Sequence, residues 1–307
     1  MTRVFIDGSS GTTGLRIRER LAGRKDLRLL ILPEEVRKDP SARADALNSA
    51  DVSFLCLPDA ASVEATALVT DPKAVIIDTS TAHRTAEGWT YGLPELTGQR
   101  EKIAGAKRIA NPGCHATGFI ALVAPLVENG VISPDARLSS FSLTGYSGGG
   151  KKMIAEYEAP DADSLYQAPR QYGLGQMHKH LPEMAAISGL KRQPVFCPVV
   201  ASYYAGMEVT VPLTPAETIA SPEEIRKIYQ DYYSSGLIRF AEAPDENGFL
   251  SAGAMAGRDS LEVSVFGNKE RILLVSRFDN LGKGASGAAI QNMNIALGLD
   301  EEEGLVK

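Results

Sequence analysis

Arg3-Val4-Phe5-Ile6-Asp7-Gly8-Ser9-Ser10-Gly11-Thr12-Thr13-Gly14 opens the chain, and Leu15, Ile17 and Leu21 follow it at helical spacing. The order is a buried strand, a glycine turn and a helix. Glycines let the backbone approach a pyrophosphate closely, and the first N–H groups of the helix point at it. The spacing is G-x-x-G-x-x-G rather than G-x-G-x-x-G, so the stretch is a variant of the dinucleotide fingerprint.

Outward from this turn the alternation continues. A second strand, Leu27 to Leu32, ends beside Glu34 and Glu35, where an acid commonly reads a ribose. Arg37 and Lys38 follow and would favour a 2′-phosphate, so the residues leave the choice of cofactor open. A helix is expected around residues 42–47, a strand over 52–57 ending in Pro58, a helix over about 60–69 and a strand over 74–78. That last strand runs into Thr79-Ser80-Thr81-Ala82-His83-Arg84, a polar loop at a strand's carboxyl end, where open α/β sheets bind ligands. His83 and Arg84 are placed to meet a ligand there, or His83 is a surface residue. Cys56, inside an apolar run, reads as core. Strand and helix alternate over residues 1–113, which predicts a doubly wound parallel sheet.

The chemistry centres on Asn111-Pro112-Gly113-Cys114-His115-Ala116-Thr117-Gly118. Pro112 and Gly113 suit a tight turn, and the apolar segment after Cys114 reads as a helix. A cysteine at a helix start lies where the dipole favours the thiolate, which is the nucleophilic form. Pro125 is expected to kink or shorten this helix. Beyond residue 134 strands dominate: 137–144, 195–201, 207–213, 261–266 and 271–278. Several alternate, which suits an antiparallel or mixed sheet. Ser221-Pro222-Glu223-Glu224 is the capping box of a helix reaching about Ser234.

Two further stretches carry candidate chemistry. Thr144 to Lys152 holds Ser147, three glycines at 148–150, Lys151 and Lys152, and reads as an anion-binding or flexible loop. Gln176 to Glu183 holds His178 and His180; a histidine is the natural acid/base partner for a cysteine at neutral pH. The chain closes with a glycine-rich turn and a small-residue helix over 279–297. An acidic tail over 300–307 is expected to fray.

Composition narrows the class. A net charge of −6 gives no general affinity for nucleic acid or anionic membrane, and no apolar run approaches the roughly 20 residues of a membrane helix. The direct start into a strand argues against a signal peptide. Three cysteines, at 56, 114 and 197, have neither pairing nor metal spacing and point to reduced thiols in the cytoplasm. The i, i+2 pair of His178 and His180 lacks the thiolate or carboxylate partners of a metal site.

Assembled, these stretches resemble the N-acetyl-γ-glutamyl-phosphate reductases of the shorter type. The matching segments are residues 8–14, 76–84, 91–95, 111–118, 145–151, 178–183 and 280–292. That family belongs with the aspartate-semialdehyde and glyceraldehyde-3-phosphate dehydrogenases. The resemblance implies a Rossmann-type domain over 1–113, completed by a C-terminal helix in 281–307. It also implies an α+β catalytic and oligomerisation domain over 114–280 with a large mixed sheet. The implied reaction is NADPH-dependent reduction of an acyl phosphate to N-acetylglutamate semialdehyde, in arginine biosynthesis, by a homodimer or homotetramer. The resemblance makes Cys114 the nucleophile and places the proton donor in the H-x-H-x-P-E stretch, His180 being favoured over His178. Arg84, Ser147, Lys151 and Glu183 are the implied substrate contacts, Glu183 alternatively orienting a histidine. Gly8, Ser10, Gly11, Thr12, Thr13, Gly14, Ser80 and Asn280 are the implied NADP(H) contacts, and no metal is expected. A sister acyl-phosphate reductase and a catalytically silent nicotinamide-binding sensor are the competing readings.

Overall fold

The computed structural model describes every residue from Met1 to Lys307. They divide into two units, Met1–Pro112 with Ala285–Leu305, and Gly113–Gly284 with Val306–Lys307.

The first unit is built on β1 (Thr2–Asp7), β2 (Leu27–Leu30), β3 (Val52–Leu55), β4 (Val75–Asp78), β5 (Thr90–Tyr91) and β6 (Arg108–Ala110). They form one parallel sheet in the order β2-β1-β3-β4-β6-β5. Helices α1 (Thr12–Leu21), α2 (Pro40–Ser49), α3 (Asp59–Ala67) and α4 (Gln99–Gly105) complete the alternation. Both faces of the sheet are covered, as the continuous apolar strands require. Val4, Ile6, Phe54 and Ile77 pack with Ile17 and Leu21 of α1 and with Ile290 and Met293 of the C-terminal helix Gly287–Ala296. Phe5, Leu55 and Ile76 face the other way, onto Leu47 of α2 and Ala65 of α3.

Register sets the strand ends level. Asp7 pairs with Leu55, Leu55 with Asp78 and Asp78 with Ala110. The loops that begin at Gly8, Cys56, Thr79 and Asn111 therefore leave one edge of the sheet together. At that edge the fully buried Asp78 accepts hydrogen bonds from the Ser62 hydroxyl at 2.6 Å and from the Ser80 hydroxyl at 2.7 Å, and pairs with the His83 ring at 2.6 Å. His83 also stacks on Trp89, with centroids 4.0 Å apart. It is a fixed part of this loop rather than a loose surface residue.

The second unit contains α5 (Cys114–Glu128), β7 (Ser139–Gly145), α6 (Gly150–Glu158), β8 (Arg170–Gln171), α7 (Leu181–Ile187), β9 (Val195–Ala201), β10 (Met207–Leu213), α8 (Pro222–Tyr232), β11 (Ile238–Phe240), β12 (Leu261–Asn268) and β13 (Arg271–Phe278). The sheet order is β11-β12-β13-β10-β7-β9-β8. The β7–β9 and β11–β12 pairs are parallel and the rest antiparallel, so the sheet is mixed. Helix α5 lies close on it. A Cβ on Gly118 would come within 2.6 Å of a Val209 methyl carbon and 2.8 Å of Phe278.

Two expectations are corrected, for the stretch after Thr144 and for the acidic tail. Pro125, expected to kink or shorten α5, lies inside the helix, which ends at Glu128. Proline has no N–H to give the carbonyl of Ala121, four residues back. The Tyr233 hydroxyl, buried just past α8, donates to that carbonyl at 2.7 Å, and Tyr229 donates to the next, Leu122. Replacing Tyr233 by phenylalanine leaves the buried carbonyl unsatisfied, which should lower stability by about 1–3 kcal/mol. In urea the unfolding midpoint of the variant should fall with the slope unchanged, and an unshifted midpoint would refute this account.

The glycine–lysine stretch after Thr144 is not a loose loop. It forms a short turn over Tyr146–Gly149 and then α6. The acidic tail is tied down as well. Asn294 donates to the carbonyls of Glu301 and Glu303 at 3.2 and 3.0 Å, Glu301 pairs with Arg100, and the Val306 N–H donates to Asp259 at 2.9 Å.

Candidate active site

In the first unit the glycine turn after β1 opens a cleft of about 560 Å³. Gly8 has φ +84°, and a Cβ there would lie 2.3 Å from the Cys56 carbonyl oxygen. A Cβ on Gly14 would lie 2.5 Å from the Gly8 carbonyl oxygen. Neither position accepts a side chain, so the turn presents bare backbone to the cleft and leads straight into the N-terminus of α1. The Thr12 hydroxyl at that helix start is buried without a partner. Ser10, Gly8 and Gly11 line the cleft together with Arg37, Lys38 and Arg43. This is a setting for an anionic ligand.

Arg37 also decides how Glu34 is read. Its guanidinium donates to the Ser10 hydroxyl at 3.1 Å and pairs with the Glu34 carboxylate at 2.5 Å. The acid taken from the sequence as a ribose reader therefore sits beside a cation that offsets it. Arg43 is held by Asp7, at 2.8 Å.

In the second unit Cys114 is the first residue of α5, with Gly113 as its N-cap in extended conformation. The first rung of the helix is Thr117 N–H to Gly113 O at 2.8 Å. The first-turn N–H groups precede this ladder, so partial positive charge collects around the thiol. Glu183, almost fully buried on α7, accepts from the Gly113 N–H at 3.2 Å, which fixes the turn just before the thiol. Its other carboxylate oxygen lies 4.0 Å from His180 Nε2. Gly284 closes the thiol's other side, since a Cβ there would be 3.0 Å from Cys114 Cβ.

Cys114 opens onto a cavity of about 210 Å³ that it shares with His115, Thr144, Tyr172, His178 and His180. The His178 and His180 rings are 4.7 Å apart, each 5.6 Å from the His115 ring. The His180 N–H donates to His178 Nδ1 at 3.2 Å, so that nitrogen is bare and a neutral His178 presents its proton on Nε2. His180 instead has the Glu183 carboxylate beside it, which favours a proton on Nε2. The two histidines are thus prepared differently.

His115 is buried, with Nδ1 2.6 Å from Ser142 Oγ and Nε2 2.6 Å from the Tyr172 hydroxyl. Burial, and then the neighbouring His178, push its pKa down to about 3, so the imidazole is neutral at working pH. Burial, and then the charge on Cys114, hold Tyr172 well above the ordinary phenol range, so it stays protonated. The loop carrying the histidines is clamped by Gln176. Its side-chain amide accepts from Phe196 N–H at 2.9 Å and donates to Phe196 O at 2.6 Å, filling the place of a strand at the open edge of β9.

The sequence-derived residues are placed unequally. Cys114, His178 and His180 share the cavity, and Glu183 stands behind it on the Gly113 N–H. Ser147 and Asn280 are both buried, the Asn280 amide donating to Ser147 Oγ at 3.0 Å and accepting from Gly206 N–H at 2.9 Å. The two side chains hold each other inside the second unit. Ser80 is likewise turned onto Asp78. Arg84 is buried in the first unit and donates to the carbonyls of Asn111 and Thr79 at 3.0 and 3.1 Å, holding the chain that leads to Cys114. Lys151 is exposed on α6. No three His, Cys, Asp or Glu side chains converge as metal ligands, and no helix is long and apolar enough to cross a membrane.

His115, Tyr172, Ser142 and Gln176 carry no signal of their own in the sequence. Only the adjacency of His115 to Cys114 could have drawn attention to it.

Two family models match the chain: a semialdehyde dehydrogenase NAD binding domain over residues 30–106 and a semialdehyde dehydrogenase dimerisation domain over 114–280. Among similar proteins, N-acetyl-gamma-glutamyl-phosphate reductase 2 of Nostoc sp. is 45% identical, covering 99% of both chains. A protein of the same name from Pseudomonas putida is 43% identical over 98% of both. Among solved structures, aspartate semialdehyde dehydrogenase II of Vibrio cholerae superposes with a TM-score of 0.72 at 17% identity, over 97% of this chain and 98% of that one. The Candida albicans aspartate semialdehyde dehydrogenase with NADP gives 0.68 at 15% identity, over 96% and 99%.

Proposed function

The chain belongs to the N-acetyl-γ-glutamyl-phosphate reductase family, and from that premise we propose that Cys114 is its catalytic nucleophile and His180 its acid. The reaction is the NADPH-dependent reduction of N-acetyl-γ-glutamyl phosphate to N-acetylglutamate 5-semialdehyde with release of phosphate, a step of arginine biosynthesis. The observation that carries the proposal is the single cavity in which Cys114, at the head of α5, meets His178 and His180.

Cys114 Sγ attacks the acyl carbon; the C–S bond forms, the bond to the phosphate oxygen breaks, and a thioester remains on the enzyme. The first-turn N–H groups of α5 are aimed where the carbonyl oxygen gains charge. NADPH, when bound, supplies the hydride that reduces the thioester carbon. His180 Nε2, favoured in its protonated form by Glu183, holds the proton for that oxygen. His178, with its proton on Nε2, hydrogen-bonds the substrate. His180 takes that proton back as the carbonyl re-forms; the C–S bond breaks with its electron pair on sulfur, which frees the aldehyde and leaves the thiolate.

The glycine turn, the α1 N-terminus and the Thr12 hydroxyl fit the pyrophosphate of NADP(H), and Arg37 with Lys38 suits the 2′-phosphate. The dimerisation-domain match supports an oligomer, which we take as a homodimer or homotetramer, and a cytoplasmic setting suits the three free cysteines.

The test is the reverse assay. With N-acetylglutamate 5-semialdehyde, phosphate and NADP, reduced cofactor should accumulate, and NAD should support a rate at least about tenfold lower at equal concentration. Turnover of aspartate semialdehyde in its place would move the assignment to the sister reductase.

A further inference from the structure

We propose that Tyr172 donates a hydrogen bond to the Cys114 sulfur, and that Ser142 and His115 are positioning residues that turn the tyrosine's proton into the cavity. The proposal rests on the reading of Cys114 as nucleophile and adds a group that acts on its thiolate.

The argument is one of counting protons along a buried line. Ser142 Oγ, the His115 ring and the Tyr172 hydroxyl follow one another at 2.6 and 2.6 Å. A neutral imidazole donates from one nitrogen and accepts at the other. Ser142 is fully buried on β7, and the His115 ring is the hydrogen-bond partner of its hydroxyl. If Nδ1 carried the imidazole proton, the serine's own proton would be left in the interior without an acceptor, which is costly. With Nδ1 bare, Ser142 donates to it and the imidazole proton moves to Nε2. Nε2 then donates to the Tyr172 oxygen. The phenolic proton is displaced from the His115 side and points into the cavity shared with Cys114.

A thiolate is the acceptor that this donor suits. Hydrogen bonding to the charged form stabilises it, so Tyr172 supports the sulfur before attack and again as it leaves the product. Tyr172 remains a phenol throughout, because burial and the nearby sulfur both oppose its ionisation. The other titratable groups lining the cavity with Cys114 are His115, His178, Lys179 and His180, and Glu183 stands behind it on the Gly113 N–H. None of these is altered by the substitutions below.

The experiment follows alkylation of Cys114 by iodoacetamide against pH in the full-length protein without cofactor, with the Cys114 peptide quantified by mass spectrometry. Tyr172→Phe should raise the pH midpoint by about one unit, a tenfold loss of thiolate at fixed pH. Ser142→Ala should raise it less, and should add nothing when combined with Tyr172→Phe. Ser142→Thr keeps the hydroxyl and should restore the midpoint of the unaltered protein. An unchanged midpoint in Tyr172→Phe overturns the proposal, as does a Ser142→Ala effect that persists without the tyrosine hydroxyl. The midpoint is read whether or not the protein turns over acyl phosphate. Failure of the functional reading shows separately, as turnover that survives loss of the Cys114 thiol.

Discussion

Cys114→Ser abolishes reduction of the acyl phosphate, by about four orders of magnitude or more in kcat, while leaving NADPH binding intact. The size follows from the nucleophile's acidity. A thiol at a helix N-terminus is readily ionised near neutrality, whereas a serine hydroxyl in the same place is not. Within the cavity, His115 is held between Ser142 and Tyr172 and is not free to replace the thiol. The nucleotide cleft is assembled from first-unit residues and does not involve Cys114. Two measurements check this. Intact-mass analysis with substrate and no cofactor should show the acyl adduct on the unaltered protein and none on the variant. Titration of NADPH fluorescence should give the same Kd for both. Turnover by the variant within about tenfold of the parent would end the covalent mechanism.

His180→Gln lowers kcat by about 10²–10⁴ with little change in KM, the range expected for loss of a general acid. His178→Gln, by contrast, acts mainly on KM, by about tenfold, because it removes one hydrogen bond to the substrate. The asymmetry comes from the backbone. The His180 N–H occupies His178 Nδ1, while Glu183 faces His180 Nε2 at 4.0 Å. A proton donor is lost as pH rises, so the alkaline limb of kcat against pH belongs to His180 and disappears in its variant. Steady-state kinetics across pH on both variants decides the matter. A larger kcat loss in the His178 variant, with the alkaline limb intact in the His180 variant, would exchange the two roles.

Most of the architecture could be read from periodicity. The first sheet is announced by short apolar strands between helices, and β9 and β10 run over the same residues that alternation and apolar content marked out, Val195–Ala201 and Met207–Leu213. What was not legible depends mostly on partners far away in the chain. Pro125 is a helix breaker until Tyr233 supplies the missing donor. The glycines at 148–150 signal a turn, but the residues after them are good helix formers and continue as α6. Ser147 and Asn280 are polar residues in glycine-rich surroundings, which is also how ligand contacts read. Only the fold shows that they satisfy each other. Tyr172 and His115 lie 57 positions apart and meet because β8 and the histidine loop fold back against the edge of β9.

The proline in α5 has a consequence for how this protein is made. The hydroxyl that completes the helix arrives from a residue 112 positions downstream, after β7 to β10 have been synthesised. The Ala121 carbonyl thus has no side-chain donor until the chain just past α8 has emerged and docked. Helix α5 is therefore completed by its own unit and not by its own residues, and its middle turn depends on the docking of the chain just past α8.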